Sequence, residues 1–195
     1  PAILSTALIK DIPNEQPLIF LAADQLIEKF DLLNKAIKKN QKKLTQNNIF
    51  IFGIKPTKPS SEYGYFLTRN VKGYKKVSKF LEKPNEMKAK NIIKKKGYWN
   101  SGMFYSRKDS IINNFKKYQA NIYRSCNKAV LKAKYKNNTY YLNKQAFTKA
   151  KDKSFDYAIL EKANEINAIK LNIPWSDLGS WKEILKMYYK NRDKY

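Results

Sequence analysis

The chain has 195 residues, 43% of them hydrophobic, which is enough for one domain with a real core. It holds no histidine and a single cysteine, Cys126, which excludes histidine triads, histidine general bases, histidine-ligated metals, cysteine zinc sites and intrachain disulfides. The net charge of +24 invites a nucleic-acid partner, but only four of the forty basic residues are arginines and the lysines are scattered, so the charge reads as a solvated surface and no nucleic-acid partner is expected.

In chain order, Pro1–Lys10 is apolar on one side and reads as the end of a helix. Leu18–Ala23 is a short continuous apolar run, expected to be a strand buried on both faces. Lys29–Lys43 has helical spacing through Phe30, Leu33, Ile37 and the adjacent Leu44. Asn48–Ile54 is a second buried strand, stopped by Pro56. Tyr63–Thr68 and Tyr74–Leu81 are strands joined by a turn at Val71–Gly73, and Pro84 ends the second. Glu86–Lys96 is a lysine-rich helix closed by Gly97. Tyr98–Ser106 is a strand, and Asp109–Lys136 is helical with a break near Gln119–Asn121. Asp156–Lys162 is a short helix, Ala168–Ile173 a strand and Trp181–Lys190 a terminal helix. Strands alternating with helices give an α/β sheet, in which ligands bind beyond the carboxyl ends of strands. No repeat or Gly/Pro/Ser-rich linker divides the chain, so 1–195 is read as one domain. No apolar run nears the roughly 18 residues that span a bilayer, and no signal peptide is visible. No membrane association and a cytoplasmic location are expected.

Five segments carry polar chemistry at strand ends or in loops. Asp24 follows the apolar run Leu21–Ala23 and is either a ligand carboxylate or a helix N-cap. Phe52–Pro59 is a proline-stiffened loop, and Gly64 beyond it permits close approach of a ligand or is an ordinary strand glycine. Glu82-Lys83-Pro84 sets an acceptor for hydroxyls beside a cation for phosphate, or is a generic charged strand end. Asn100-Ser101-Gly102 interrupts an aromatic strand, as polar ligands of a sugar or as a bulge. The fifth is Ser154–Lys162 with Pro174–Trp181 downstream, where Asp177 lies between two tryptophans that either frame a site or only pack.

Taken in order, these segments resemble the mannose-1-phosphate guanylyltransferase family within the sugar nucleotidyltransferases. The resemblance is strongest in Trp99-Asn100-Ser101-Gly102-Met103-Phe104 and Trp175-Ser176-Asp177-Leu178-Gly179-Ser180-Trp181, and runs over essentially the whole chain. It implies a Rossmann-like α/β sandwich, a mixed sheet flanked by helices. It implies transfer of GMP from GTP to mannose-1-phosphate with release of pyrophosphate, with Mg²⁺ as cofactor. By the same resemblance Asp24 and Asp177 hold the metal, and Asp24, Lys83 and Asp177 are the catalytic set. Glu82 meets sugar hydroxyls, Lys83 the sugar's phosphate, and Gly64, Tyr65, Asn100, Ser101, Gly102 and Glu161 complete the substrate pocket.

The sequence departs from the family at Ala22 and Gln25, where proline and histidine are usual. The family's opening Gly-rich loop, with its Arg and Lys for the triphosphate, has no counterpart here. The expectation is therefore a partial catalytic domain, incomplete at its N-terminus, with weak or no activity by itself. Another sugar-1-phosphate or nucleoside triphosphate stays open as the substrate, as do a non-catalytic remnant or basic binding module and a homo-oligomer.

Overall fold

The computed structural model describes residues 1–179 together with 181, 184, 185, 188 and 189. In chain order it contains helix α1 (Ala2–Ala7), strands β1 (Pro17–Phe20) and β2 (Leu26–Ile27), and helix α2 (Phe30–Asn40). Strands β3 (Ile49–Ile54), β4 (Tyr65–Val71) and β5 (Tyr74–Leu81) follow, then α3 (Glu86–Lys94) and β6 (Tyr98–Arg107). Next come α4 (Lys108–Tyr118), α5 (Ala120–Leu131), strands β7 (Lys134–Lys136) and β8 (Thr139–Tyr141), and α6 (Lys144–Phe147). A π-helical turn at Asp156–Leu160, β9 (Ile166–Leu171) and β10 (Trp175–Ser176) complete the described elements.

The run Ile-Phe-Ile-Phe-Gly-Ile explains the middle of the fold. Every residue of β3 is buried, which requires a central strand covered on both faces. It runs parallel to β9 and antiparallel to β6 within a six-stranded sheet of order β1-β6-β3-β9-β5-β4. Alternation along β3 divides its side chains between two cores. Ile49 and Ile51 join Leu4, Ile111, Phe115, Ile122 and Phe155 beneath α1, α4 and α5. Phe50, Phe52 and Ile54 join Leu33, Ala89, Ile92 and Trp99 beneath α2 and α3. The result is the expected three-layer α/β sandwich, a mixed sheet flanked by helices. No helix among the described residues is long and apolar enough to cross a membrane.

Three expectations need correction. The Leu18–Ala23 run is not doubly buried: β1 pairs only with β6 among the described strands, and Ile19 and Leu21 are 37% and 43% exposed. An apolar run does not by itself distinguish an edge strand from a central one. Gly97 is not the left-handed residue that ends α3; Lys96 is, at φ 58°. The Lys96 N–H reaches the Ile93 carbonyl and the Gly97 N–H the Ile92 carbonyl, closing a Schellman motif. Gly97 is needed because an added Cβ would lie 2.9 Å from the Ile92 carbonyl and 3.1 Å from that of Phe66. The long helix Asp109–Lys136 breaks at Gln119 as expected but stops at Leu131. It gives way to the β7–β8 hairpin, whose turn residues Asn137 and Asn138 both have positive φ. The short helix expected at Asp156–Lys162 is present over Asp156–Leu160, wound as a π-turn. The Val71–Gly73 turn is as expected, with Lys72 and Gly73 at φ 45° and 79°. The terminal helix expected over Trp181–Lys190 lies largely outside the described residues.

Candidate active site

The parallel pair β3 and β9 brings two carboxyl ends to one edge of the sheet, where α/β sheets bind ligands. The chain leaves β3 into the Lys55–Glu62 loop and leaves β9 toward β10. Two polar groupings form near a bulge in β6.

The first grouping is made by β2 and β10, which pair antiparallel with Trp175 opposite Ile27 and Ser176 opposite Leu26. One step further, that register sets Asp177 opposite Gln25, the neighbour of Asp24. The two aspartates, 153 positions apart in sequence, thus precede and follow strands paired in one two-stranded ribbon and lie toward the same end of it. Asp24 is exposed and Asp177 half-buried. The Tyr63 hydroxyl donates to Asp177 Oδ1 at 3.1 Å, and the Gly179 N–H at 3.3 Å. Tyr63 is itself wedged between Trp99 and Trp175, with ring centroids 4.8 and 5.6 Å away. Trp175 is therefore packing that fixes the Asp177 loop. Gln25 Nε2 donates to the Ser101 carbonyl at 2.6 Å, and its Oε1 accepts from the Trp175 indole at 3.4 Å. That glutamine ties the Asp24 loop both to β6 and to β10.

No group of three or more Asp, Glu, His or Cys side chains that could hold a metal occurs among the described residues. The two aspartates supply oxygen donors only. That suits a hard cation such as Mg²⁺, which takes one or two carboxylates and completes its shell with water and substrate phosphates. The donor set fits that ion.

The bulge arises where the β3–β6 register shifts: Ile51 faces Phe104 and Gly53 faces Asn100. Phe52 is thus opposed by Ser101, Gly102 and Met103, so the Asn-Ser-Gly segment is a bulge as well as a site element. The Ser101 hydroxyl is buried, donates to the Phe52 carbonyl at 2.9 Å and accepts from the Met103 N–H at 3.3 Å. Its part is to hold the bulge. Gly102 sits at φ 74°, and an added Cβ would lie 3.2 Å from Gln25 Nε2. The Tyr65 hydroxyl is likewise engaged, accepting from the Ser60 N–H at 2.9 Å, and the residue is fully buried. Tyr65 anchors the proline loop rather than facing open space.

The second grouping joins the ends of β4, β5 and β6 to the π-turn. Asn100 accepts no water-exposed position: it is buried, and its backbone N–H donates to the Gly64 carbonyl at 2.8 Å. An added Cβ on Gly64 would lie 2.4 Å from Glu82 Oε2 and 3.4 Å from Asn100 Cβ. Gly64 therefore packs closely against the Glu82 carboxylate, beside Asn100. Glu82 Oε2 is buried there with no hydrogen-bond partner among the described residues. Burial, then the Asp156 charge, push the Glu82 carboxyl up to about 7; Lys83 opposes them and Glu161 adds to them. Lys83 is exposed and held at φ 44°, an uncommon conformation for a lysine. The nearby Glu161 is also exposed.

Asp156 belongs to this grouping; sequence reasoning placed it in the fifth segment but gave it no role in the site. Its Oδ1 accepts from Asn100 Nδ2 at 2.8 Å, and burial raises its carboxyl above the ordinary range. A signal was present in the run Ser154-Phe155-Asp156-Tyr157, but an acid there reads equally well as the first turn of a helix. Tyr63 and Gln25 were missed as well, since their roles exist only through long-range contacts.

The chain matches the family model described as nucleotidyl transferase over residues 2–194. It is 30% identical over 187 residues to the alginate biosynthesis protein AlgA of Pseudomonas fluorescens, covering 93% of this chain and 39% of that protein. It is 33% identical over 190 residues to a mannose-1-phosphate guanylyltransferase of Salmonella muenchen, covering 94% and 40%. Among solved structures, a mannose-6-phosphate isomerase from Helicobacter pylori superposes with a TM-score of 0.79 at 29% identity, covering 90% of this chain and 68% of that one. The chain spans about 40% of the length of the curated relatives it matches.

Proposed function

The chain belongs to the nucleotidyl transferase family, and on that premise we propose that it forms the sugar-phosphate side of an enzyme that transfers GMP from GTP to mannose-1-phosphate. The observation that carries this reading is the buried Glu82 Oε2, unpartnered among the described residues, which packs against Gly64 beside Asn100 and adjoins the Lys83 ammonium. A buried polar atom without a partner is costly, and a sugar hydroxyl removes that cost while Lys83 meets the attached phosphate. The similarity to a guanylyltransferase of mannose-1-phosphate supports the choice of substrates.

In the proposed reaction a phosphate oxygen of mannose-1-phosphate attacks the α-phosphorus of GTP. The bond from that phosphorus to the bridging oxygen breaks, and pyrophosphate leaves. The nucleophile is already anionic, so no general base is required, which suits a chain without histidine. Glu82 and Asn100 hold the sugar, Gly64 leaves room for it, Gly102 shapes the neighbouring bulge and Glu161 flanks the pocket. Lys83 orients the attacking phosphate. Asp24 and Asp177 would hold a Mg²⁺, which supplies charge neutralisation for phosphate oxygens when bound. Tyr63 steadies Asp177 for that task.

The test is pyrophosphate release with Mg²⁺ and a panel of sugar-1-phosphates and nucleoside triphosphates, on the chain alone and on the chain joined to its flanking coding sequence. Turnover of mannose-1-phosphate with GTP above every other pair is expected from the joined form. Turnover confined to a different pair would reassign the substrates. An absence of turnover with all pairs, together with no sugar-phosphate binding, would overturn the reading.

A further inference from the structure

The Asn100 amide is held in one orientation from both ends. Its Nδ2 donates to Asp156 Oδ1 at 2.8 Å, and its Oδ1 accepts the Gly102 N–H at 3.4 Å. A flipped amide would set its oxygen against a carboxylate and its NH₂ against an N–H, which hydrogen-bond chemistry forbids. Asp156 comes from the π-turn, 56 residues away in sequence. The turn is pinned from within, its Asp156 carbonyl accepting the Glu161 N–H at 3.0 Å. Single π-turns are frequent at functional sites, where they re-aim a side chain.

We propose that Asp156 is a positioning residue of the sugar-phosphate pocket, acting through the Asn100 amide that it orients. This inference rests on the proposed function of the Gly64, Glu82 and Asn100 grouping. Asp156 does not itself need to touch the substrate. It fixes which way the amide of Asn100 points, leaving one N–H and one lone pair for a sugar hydroxyl.

Asp156 has a second effect through charge. The carboxyls of Glu82, Asp156 and Glu161 repel one another, and Lys83 is the cation that moderates them. Burial and this repulsion keep protons on the pair Glu82 and Asp156 above the ordinary carboxylate range. A pocket that retains a proton repels an incoming phosphate dianion less than one carrying three carboxylates. Sugar-phosphate affinity therefore declines as pH rises through about 7, where Glu82 titrates. Removing the Asp156 charge removes one of the causes of that rise, so the decline moves to lower pH.

The experiment is calorimetric titration of mannose-1-phosphate into the whole chain between pH 5.5 and 8.5, for wild type, Asp156→Ala and Asp156→Asn. Wild type binding with an affinity that falls near neutral pH is expected. Asp156→Ala binds about tenfold more weakly, the effect of one lost orienting hydrogen bond to a charged group. Asp156→Asn still accepts from Asn100 through its amide oxygen. It restores affinity to within about threefold of wild type at pH 6, with the pH-dependent decline displaced to lower pH. If wild type does not bind mannose-1-phosphate, the functional reading fails and this inference with it. If wild type binds but both variants match it in affinity and pH profile, the positioning role alone is overturned. If Asp156→Ala does not fold, the Asp156→Asn pH profile decides: an unmoved profile overturns the proposal.

Discussion

Replacing Glu82 with glutamine separates what this residue does for folding from what it does for ligand binding. Its carboxyl is pushed up to about 7 from an ordinary 4.5, with burial as the largest cause. A raised acid stabilises the folded chain below its unfolded pKa, and that stabilisation is lost as pH climbs toward the folded value. The window for Glu82 is therefore pH 4.5 to 7, and above it the folded chain carries a desolvated charge. At about 1.36 kcal/mol per pH unit the ceiling is roughly 3 kcal/mol. Solvent reaches part of the residue, and screening reduces the effect to about 1 to 1.5 kcal/mol. Glutamine keeps the shape and removes the charge. Glu82→Gln should match wild type in thermal melts at pH 4.5 and melt about 3 to 5 °C higher at pH 8. The other carboxylates titrate in both proteins, so the difference between the two curves isolates this one. The same variant carries no charge to repel the phosphate and should bind mannose-1-phosphate without the decline that wild type shows as pH rises through about 7. Parallel melting curves at every pH would refute the reasoning.

Gly64→Ala places a methyl carbon 2.4 Å from Glu82 Oε2. Because the opposing atom is the end of a side chain, the fold should survive while Glu82 is displaced, and sugar-phosphate affinity should fall at least tenfold in calorimetry; unchanged affinity would contradict the close packing of Gly64 on Glu82. Gly97→Ala meets the backbone carbonyls of Ile92 and Phe66, which have no room to move, so it should cost about 2 kcal/mol and lower the melting temperature by about 4 to 8 °C. Tyr63→Phe removes the 3.1 Å hydrogen bond to Asp177 and should weaken Mn²⁺ binding, read by electron paramagnetic resonance, by about tenfold. Lys108 is buried and donates to the carbonyls of Ile9 and Ile12. Lys108→Ala removes both bonds, leaving the Ile9 carbonyl only the Ile12 N–H, and should destabilise the chain by about 1 to 3 kcal/mol in denaturant titration, without altering sugar-phosphate affinity.

The sheet's centre was legible because β3 is a continuous apolar run, a pattern that few other environments tolerate. The β4–β5 hairpin was legible from its turn, where Gly73 accepts a positive φ readily. The β7–β8 hairpin had an equally local signal in Asn137-Asn138, but the helical periodicity running into it from α5 overrode that signal. The two-residue strands β2 and β10 carry no pattern of their own. Their pairing is fixed by long-range contacts such as that of Gln25 with Ser101 and Trp175. Resemblance named Glu82, Asn100 and Gly64 together, and in the folded chain Gly64 lies against the Glu82 carboxylate and near Asn100. Ser101 and Tyr65 carry motif positions whose side chains are occupied with backbone groups, a distinction that sequence does not encode. The role of Asp156 escaped because its partner lies far away in the chain and its neighbours look like an ordinary helix start.

The most direct measurement is amide chemical-shift mapping of the isotope-labelled chain during titration with mannose-1-phosphate. Saturable shifts should centre on Gly64, Lys83, Asn100 and Gly102, with smaller changes along the Asp156 turn. Shifts that centre elsewhere, or none at millimolar ligand, would contradict a sugar-phosphate pocket at the ends of β4, β5 and β6.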